Sequence, residues 1–548
     1  MRAAPALLSL LIAPCLGSGS VAPDAPEWIQ LEDVAEAAGL RFQHTNGASG
    51  EHLFPETLGS GCAFLDYDRD GWLDVYLVNA GDFRARGAPN ALYRNQRDGT
   101  FRDVTDEAGV GDTGYGIGVV VGDYNGDGWE DIYICNYGRN TLYRNDGDGT
   151  FTDVTDEAGV AEPRWSSSAA FLDLDRDGDL DLYVANYVHY TPTRDGCAFR
   201  GIRVYCGPET FDPETDTLYR NNGDGTFTDV SQAAGIAAHA RGLGVIAGDY
   251  DDDGDPDIVV ANDMNPNLLY RNRSDGTFEE VGFLAGIALS EEATMGNGMG
   301  VDLADYDNDG ALDLIVTNFQ DQVNTLYRND GDGLFTDVSF RSGTGVPSIP
   351  LLAWGCGLVD LDNDGWRDLF VVNGHIHDNV EQFSDVGTYA QAKLVFRQER
   401  PGVFEDVSGR SGLDVARRWV GRGAAFGDYD NDGDLDVLVN NLNGRPSLYR
   451  NMGGNRNGWV RVVLEPPAAA VGARVHLDPA NGGPQVAEIH AGGSFASSND
   501  TRALFGLGGA ADADVRVVWP DGASSGPVRA SAGETVVLRH PRRADAGR

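Results

Sequence analysis

"DYDRDGWLD", residues 66–74, sets Asp66, Asp68, Asp70 and Asp74 within nine positions. At roughly 5 Å and an effective dielectric of 20, each like-charged pair there costs about 3 kcal/mol. Such a cluster persists only where a cation or a dense set of donors answers it. The alternating carboxylates are expected to converge on one side of a loop, with Gly71 permitting the sharp turn. Trp72 can offer its backbone carbonyl, and Asp74 closes the shell. Oxygen-only ligation with glycine in the sixth position suits Ca2+, whereas a soft metal would ask for Cys or His.

The pattern D-x-[DN]-x-D-G-x-x-D starts again at Asp123, Asp173, Asp249, Asp305, Asp360 and Asp428, about 60 residues apart on average. Candidate ligands in the first copy are Asp66, Asp68, Asp70, Trp72 and Asp74. The next three copies offer Asp123, Asn125, Asp127, Trp129 and Asp131; Asp173, Asp175, Asp177, Asp179 and Asp181; and Asp249, Asp251, Asp253, Asp255 and Asp257. The last three offer Asp305, Asp307, Asp309, Ala311 and Asp313; Asp360, Asp362, Asp364, Trp366 and Asp368; and Asp428, Asp430, Asp432, Asp434 and Asp436. An EF-hand loop would need a bidentate Glu in its twelfth position. That position holds Leu77, Ile134, Val184, Val260, Val316, Val371 and Val439, all apolar. The loop therefore reads as a calcium-binding turn between two strands, with up to seven structural Ca2+ ions.

A second motif follows each loop. It reads "LYRNQRDGTFRDV" from Leu92 and "LYRNDGDGTFTDV" from Leu142, degenerates to "LVFRQERPGVFEDV" from Leu394, and stops after "LYRN" at 448–451. Its "NDGDGT" turn, 145–150, is explained by Asn-Asp-Gly turn chemistry without a metal. The half missing from the last copy lies at the other end, where "LEDVAEAAGL" from Leu31 aligns with "FTDVTDEAGV" from Phe151. Alternation within the first repeat predicts strands near Gly61–Leu65, Asp74–Val78, Ala91–Asn95 and Thr100–Val104. Four strands per unit, seven units and a split last repeat predict an all-β chain. The expected architecture is a seven-bladed β-propeller over 28–453, closed by the N-terminal strand so that no edge is left unpaired. A small C-terminal β domain is expected over 455–541, where "WVRVVL", "ARVHL", "VAEIH", "DVRVVW" and "ETVVLRH" alternate as strands.

Net charge is −44, from 85 acidic and 41 basic residues. That excludes nucleic acid as the main partner and fits a protein loaded with cations. Residues 1–22 carry one Arg and a short apolar run from Ala6 to Leu16, the pattern of a secretory signal. Pro14 is a poor residue to precede a lipidated Cys15, so cleavage rather than a lipid anchor is expected. No later segment is apolar enough to cross a membrane. A secreted location follows, extracellular or periplasmic. Cys197 and Cys206 share one loop and could pair in an oxidising compartment. Cys62, Cys135 and Cys356 sit in apolar stretches and read as buried small hydrophobes.

The seven loops resemble the FG-GAP (VCBS) repeats of integrin α-chain propellers. The unit joining such a loop to "LYRNDGDGTFTDV" resembles the secreted cartilage acidic protein family and its bacterial relatives. "NGWVRVVL", "VGARVHL", "GGSFASSND", "LFGLG" and "VVWPDG", between Asn457 and Gly522, look like the ASPIC/UnbV domain that ends those proteins. The resemblance implies a secreted, calcium-binding, propeller-type protein and no established reaction.

Strand order sorts the loops by face. The acidic loops occupy one face, and the connections between second and third strands occupy the other. Two of these are enlarged, Asn186 to Thr217 and Asn373 to Lys393. Long loops on a rigid scaffold usually carry function. His44, His52, His189, His239, His375 and His377 all fall on this face, with Arg241 and Trp419. His375 and His377 read first as solvent-exposed loop residues, while Glu56 and Asp378 could supply acid–base roles. No H-E-x-x-H or phosphate-cradling G-x-x-x-x-G-K-[ST] loop is present. The favoured reading is a monomeric extracellular interaction module that binds a protein or glycan. Alternatives are a polysaccharide lyase or hydrolase, or a lectin stacking sugars on Trp165, Trp354 and Trp419.

Overall fold

The structure, a computed structural model, describes residues 29–84, 87–291, 293–413 and 418–542. The expected signal segment and Cys15 lie outside the described residues. The chain is all-β, built mostly of small antiparallel sheets. In the first repeat the strands run Cys62–Leu65, Asp74–Leu77, Ala91–Asn95 and Phe101–Asp103, within a residue of the predicted ends. The two inner strands are buried on both faces, which is why they read as continuous apolar runs.

Each of the seven repeats forms one four-stranded antiparallel sheet with strands in chain order. The last sheet borrows its outer strand, Leu31–Asp33, from the N-terminus: Leu31 pairs with Asn451 and Asp33 with Tyr449. Among the described residues no sheet closes on itself. The innermost strands instead contact one another in sequence, and Gly421–Gly427 of the last repeat contacts Cys62–Leu65 of the first. The arrangement is propeller-like.

A recurrent clamp joins neighbouring repeats. Asp74, the last acid of its loop, accepts the Asn95 N–H at 2.7 Å and the Tyr67 N–H at 3.3 Å. The Asn95 side-chain amide then donates to Leu73 O in its own repeat and to Tyr429 O in the last, each at 2.9 Å. Asn145 donates in the same way to Tyr67 O, Asn221 to Tyr124 O, Asn272 to Leu174 O and Asn329 to Tyr250 O. Gln398 donates to Tyr306 O, and Asn451 to Leu361 O. Seven amides thus link each repeat to its predecessor around the whole circuit. Two donors on one planar group explain the residue type: one serves the home strand and one the neighbour.

The C-terminal residues form two further sheets. One pairs Gly458–Glu465 with Ala503–Gly508 and, in parallel, with Glu534–Arg539. The other orders Gln485–Glu488, Arg474–Pro479, Asp512–Val518 and Ser524–Ser531. Val462, Phe505, Val515 and Trp519 pack between them. The five expected strands are present, and 503–508 and 524–531 are additional.

From this unit the segment 490–500 enters the centre of the repeat circuit. Ser498 N–H donates to Cys62 O at 3.1 Å, and Ala496 O accepts the Val119 N–H at 3.1 Å. Ala491 O accepts from Phe171, Ser494 O from Val301 and Ser494 Oγ from Cys356. Asn499 Oδ1 accepts from Phe426, and His490 Nδ1 lies 2.8 Å from Ala247 O. Every innermost strand therefore finds a partner for its open edge on this one segment. Its small residues fit the narrow passage, and Phe495 at its tip packs edge-on to Trp354 at 4.8 Å. The centre of the repeat circuit is thus filled by protein.

Two expectations follow. Asn145→Ala leaves the buried Tyr67 and Glu130 carbonyls without their donor and should cost about 2–4 kcal/mol in chemical denaturation. A β-carbon at Gly61 would lie 2.0 Å from Ala496 O. Gly61→Val should therefore expel the segment and expose the C-terminal unit to limited proteolysis that spares the parent protein.

Candidate metal centres

The acidic loops share one local geometry. In the first, Asp66 accepts the N–H groups of Asp70 and Gly71 at 2.9 and 2.8 Å. Asp70 accepts the Trp72 N–H at 3.0 Å. Gly71 has φ +85°, a conformation L residues rarely adopt, which explains glycine in the sixth position. Trp129, Asp179, Asp255, Ala311 and Trp366 donate to the fifth-position carboxylate at 2.9 Å, and Asp434 does so at 3.4 Å. The seventh residue makes this bond through its backbone whatever its side chain, so Trp, Asp and Ala can each stand there, while the side chains of Asp255 and Asp434 find partners of their own in Arg176 and the Asn455 N–H.

These bonds gather the carboxylates. One oxygen each from Asp66, Asp68 and Asp70 lie within 4.8 Å of one another. The same holds for Asp173, Asp175 and Asp181; Asp249, Asp251 and Asp257; Asp305, Asp307 and Asp313; and Asp360, Asp362 and Asp368. Several Asp clusters can therefore hold a metal ion. The donor set tests the fit. Asp68 Oδ1, Asp251 Oδ1, Asp307 Oδ1 and Asp430 Oδ1 are buried and meet no hydrogen-bond donor, and neither does Oδ1 of fully buried Asp434. Buried acceptors without donors are costly, and a hard divalent cation satisfies them. Burial, aided by the other carboxylates of the loop, pushes Asp181 up to about 8 and Asp257 up to about 9. Desolvated acids held so close resist ionisation unless a cation compensates.

Successive loops also touch. Asn308, Asn363 and Asn431 donate to the carbonyls of Gly365, Gly433 and Gly71 in the next loop at 2.9, 2.8 and 3.0 Å. The C-terminal unit covers this face. Its Arg461 binds Asp428, and its Arg474 binds Asp252 and Glu488. Arg502 donates to the Asp428 and Gly71 carbonyls.

On the opposite face the enlarged loops fold inward as a roof. Cys197 and Cys206 are joined by a disulfide. Phe54, Trp165, Tyr187, Tyr190 and Phe211 form an aromatic cluster that continues to Trp354 and Phe495. Trp165 and Trp354 are only 2% and 1% exposed, so neither is free to stack on a sugar; Trp419 is partly buried beside Gly444. Arg422, fully buried, lies 4.1 Å over Trp354 and spends its N–H groups on the carbonyls of Thr57, Gly374, Gly421 and His375. It pins the Thr57 segment and the 373–393 loop to its own strand.

The structure gathers six of the singled-out residues beneath and beside this pin. His52 Nε2 lies 3.1 Å from Asp378 Oδ1, and the Tyr205 hydroxyl donates to buried Glu56 at 3.0 Å. His375 and His377 have ring centres 5.4 Å apart, and His44 accepts the Asn443 N–H at 3.2 Å. The expectation of exposed loop histidines is corrected at His375, which is 4% exposed and accepts the His377 N–H at 3.0 Å. Burial, then Arg422, holds His44 down to about 3; burial, then His377 and Arg422, does the same to His375. Burial takes His377 to about 4. All three are neutral at physiological pH and present no cationic surface. His239 is exposed and pairs with Thr215, while Arg241 donates to Pro208 O, Phe211 O and Asn265 Oδ1 and braces the 186–217 loop.

Comparison with known proteins places the chain. The FG-GAP-like repeat model matches residues 66–134, 123–184, 204–260, 249–316 and 305–371, together more than half of the chain. The model described as ASPIC and UnbV matches residues 464–545. Cartilage acidic protein 1 of Homo sapiens is 28% identical over 325 residues, 58% of this chain and 46% of that protein. The Mus musculus protein of the same name is 28% identical over 327 residues, 58% and 48% of the two chains. The chain thus spans about half the length of the curated relatives it matches. A solved Agrocybe aegerita lectin, described as recognising non-reducing terminal N-acetylglucosamine, is 17% identical over 69% of this chain and 88% of its own. Its TM-score is 0.38, at which the likeness carries no argument. With its repeated acidic loops and the C-terminal unit that caps them, the chain belongs to the FG-GAP-like repeat family and carries an ASPIC and UnbV segment.

Proposed function

We propose that this chain is a secreted, extracellular adhesion-type module whose scaffold is stapled by calcium. The observation that carries the reading is the set of buried loop oxygens without donors in repeats 1, 4, 5 and 7. The cation has a structural role: the loops lie under or beside the C-terminal unit, and the ninth-position acid of each also holds the clamp between repeats. On this reading the scaffold is a seven-bladed propeller over 28–453, closed by its N-terminal strand, with the ASPIC/UnbV-like domain over 455–541. Residues 1–22 act as the signal, and the Cys197–Cys206 disulfide suits the oxidising compartment beyond it. No helix among the described residues is long and apolar enough to cross a membrane.

Up to seven Ca2+ would bind, at sites from Asp66 to Asp436, and would move the formal charge from −44 to about −30. Ligands come from the first, third, fifth and ninth side chains of each loop and the seventh carbonyl. Calcium supplies charge compensation there; the chain's own backbone N–H groups orient the carboxylates. The roof loops, facing away from the C-terminal unit, present the surface for a protein or glycan partner. Buried tryptophans and neutral, hydrogen-bonded histidines favour contact by the outer parts of these loops over stacking of a sugar in the central passage.

Metal removal tests the reading. Several sites held at 100 times their dissociation constant contribute about 2.7 kcal/mol each, and a chain of this size loses roughly 1 kcal/mol per degree near its midpoint. Millimolar Ca2+ should therefore raise the melting temperature of a chelator-stripped sample by at least about 10 °C. Equal melting with and without the ion would remove calcium from the scaffold.

A further inference from the structure

Each repeat carries an arginine one residue before its clamp amide. It stands between the acidic loop and the outer hairpin, and it does not always turn the same way. In repeats 1, 6 and 7 it turns onto the loop. Arg94 binds Asp68 at 2.6 Å and reaches Asp70 at 3.4 Å. Arg397 binds Asp362 and Asp364 at 2.6 and 2.8 Å. Arg450 binds Asp430 at 2.8 Å and reaches Asp432 at 3.5 Å.

In repeats 2, 4 and 5 an acid of the outer hairpin captures it. Arg144 binds Asp146 at 2.8 Å, Arg271 binds Glu279 at 2.9 Å, and Arg328 binds Asp330. Thr152 and Thr336 hold Asp146 and Asp330 in place from the neighbouring strand. In repeats 1 and 7 the residue at the Asp146 position is Gln96 or Met452, which offers no charge. Among the described residues no ion pair joins an arginine to Asp123, Asp127 or Asp131, nor to Asp305, Asp307, Asp309 or Asp313.

We infer that this arginine sets the cation affinity of each acidic loop, so that six of the seven loops fall into a tight class, repeats 2, 4 and 5, and a weak class, repeats 1, 6 and 7. The inference rests on the reading of the loops as cation sites. The buried oxygens without donors occur in both classes, at Asp251 and Asp307 in one and at Asp68, Asp430 and fully buried Asp434 in the other. Both classes thus keep oxygens for the ion, and they differ in the charge around it. A guanidinium bonded to two loop carboxylates cancels part of the field that draws a divalent cation, and ligand charge tunes such sites over orders of magnitude. The same guanidinium lets the loop hold its shape without the ion. Repeats 6, 7 and 1 contain the junction of the two ends of the repeat circuit, where Leu31–Asp33 pairs with Ser447–Asn451. The junction is therefore the sector least dependent on metal, and the opposite arc is the sector whose loops need the ion to hold their shape and loosen once it is stripped. Arg474, which reaches Asp249 at 3.6 Å and binds Asp252, and Arg176, which binds Asp255 at 2.7 Å, place repeat 4 at the weaker end of its class. Asn125 does the same for repeat 2 by replacing a carboxylate.

Terbium luminescence excited through tryptophan separates the sites, because the seventh loop residue is Trp129 in repeat 2 and Trp366 in repeat 6. The chelator-stripped full chain is titrated with Tb3+ alongside Trp129→Phe and Trp366→Phe, and each difference curve reports one loop. The Trp129 curve should reach its midpoint at a Tb3+ concentration about ten-fold or more below that of the Trp366 curve. Arg397→Gln should move the Trp366 midpoint down toward the other. Arg144→Gln, which removes a guanidinium bonded away from its loop, should leave the Trp129 midpoint in place. Circular dichroism confirms that each variant is folded. Coincident midpoints, or a Trp366 midpoint that Arg397→Gln leaves in place, would overturn the inference while leaving the loops as cation sites. No sensitised signal in any sample would overturn the reading of the loops themselves.

Discussion

A side-chain amide with two donors holds this circuit together. Backbone hydrogen bonds stitch strands within each repeat, but none of the seven four-stranded sheets runs into the next. Packing between inner strands is close and largely non-directional, so it does not by itself fix how one sheet is set against another. The amide of Asn95 and its six counterparts supplies that direction. One N–H is spent at home and the other on the neighbouring loop, and an aspartate fixes the backbone from which the amide projects. Buried carbonyls tolerate no loss of such a donor, which makes the linkage stiff. It also makes the acidic loops part of the frame, since the anchoring aspartate is the loop's last acid.

Acidity and rigidity are coupled through that arrangement. Crowded carboxylates would tear the loops open, and the chain answers them in three ways. Backbone N–H groups within the loop take the first-position and fifth-position oxygens. Arginines take some of the third-position ones, with those of the C-terminal unit reaching Asp428 and Asp249. The remainder point at space suited to a hard cation. The C-terminal unit is consequently more than an appendage. It lies on the acidic face, and residues 490–500 give each innermost strand a hydrogen-bonding partner along an otherwise open edge.

Much of this was legible in the residues. Strand ends in the first repeat fell within a residue of their expected places because loops rich in Asp and Gly punctuate short β-branched and aromatic runs. The split last repeat announced that residues near 31 must meet residues near 451, and they do. "LYRN" was legible only as a recurring string. That its Asn bridges repeats depends on contacts such as that of Asn145 with Tyr67, 78 residues away, and that its Arg turns onto the loop depends on contacts such as that of Arg397 with Asp362, 35 residues away, neither of which a local pattern displays. "GGSFASSND" marked a family segment without disclosing that it fills the central passage. His375 looked like a loop residue because its neighbours are polar, yet the roof folds over it.

Local chemistry therefore settled the units: where the chain turns, which faces are apolar, which oxygens crowd together and how often the motif returns. These follow from spacing over a dozen residues, the range within which dihedral preference, alternation and charge repulsion act. The partners of Arg94 and Arg144, the burial of Trp354 and the seat of residues 490–500 were decided only by assembly. Each depends on which surfaces meet once seven similar sheets and a capping unit share one interior, and near-identical repeats carry no mark of which neighbour they will face.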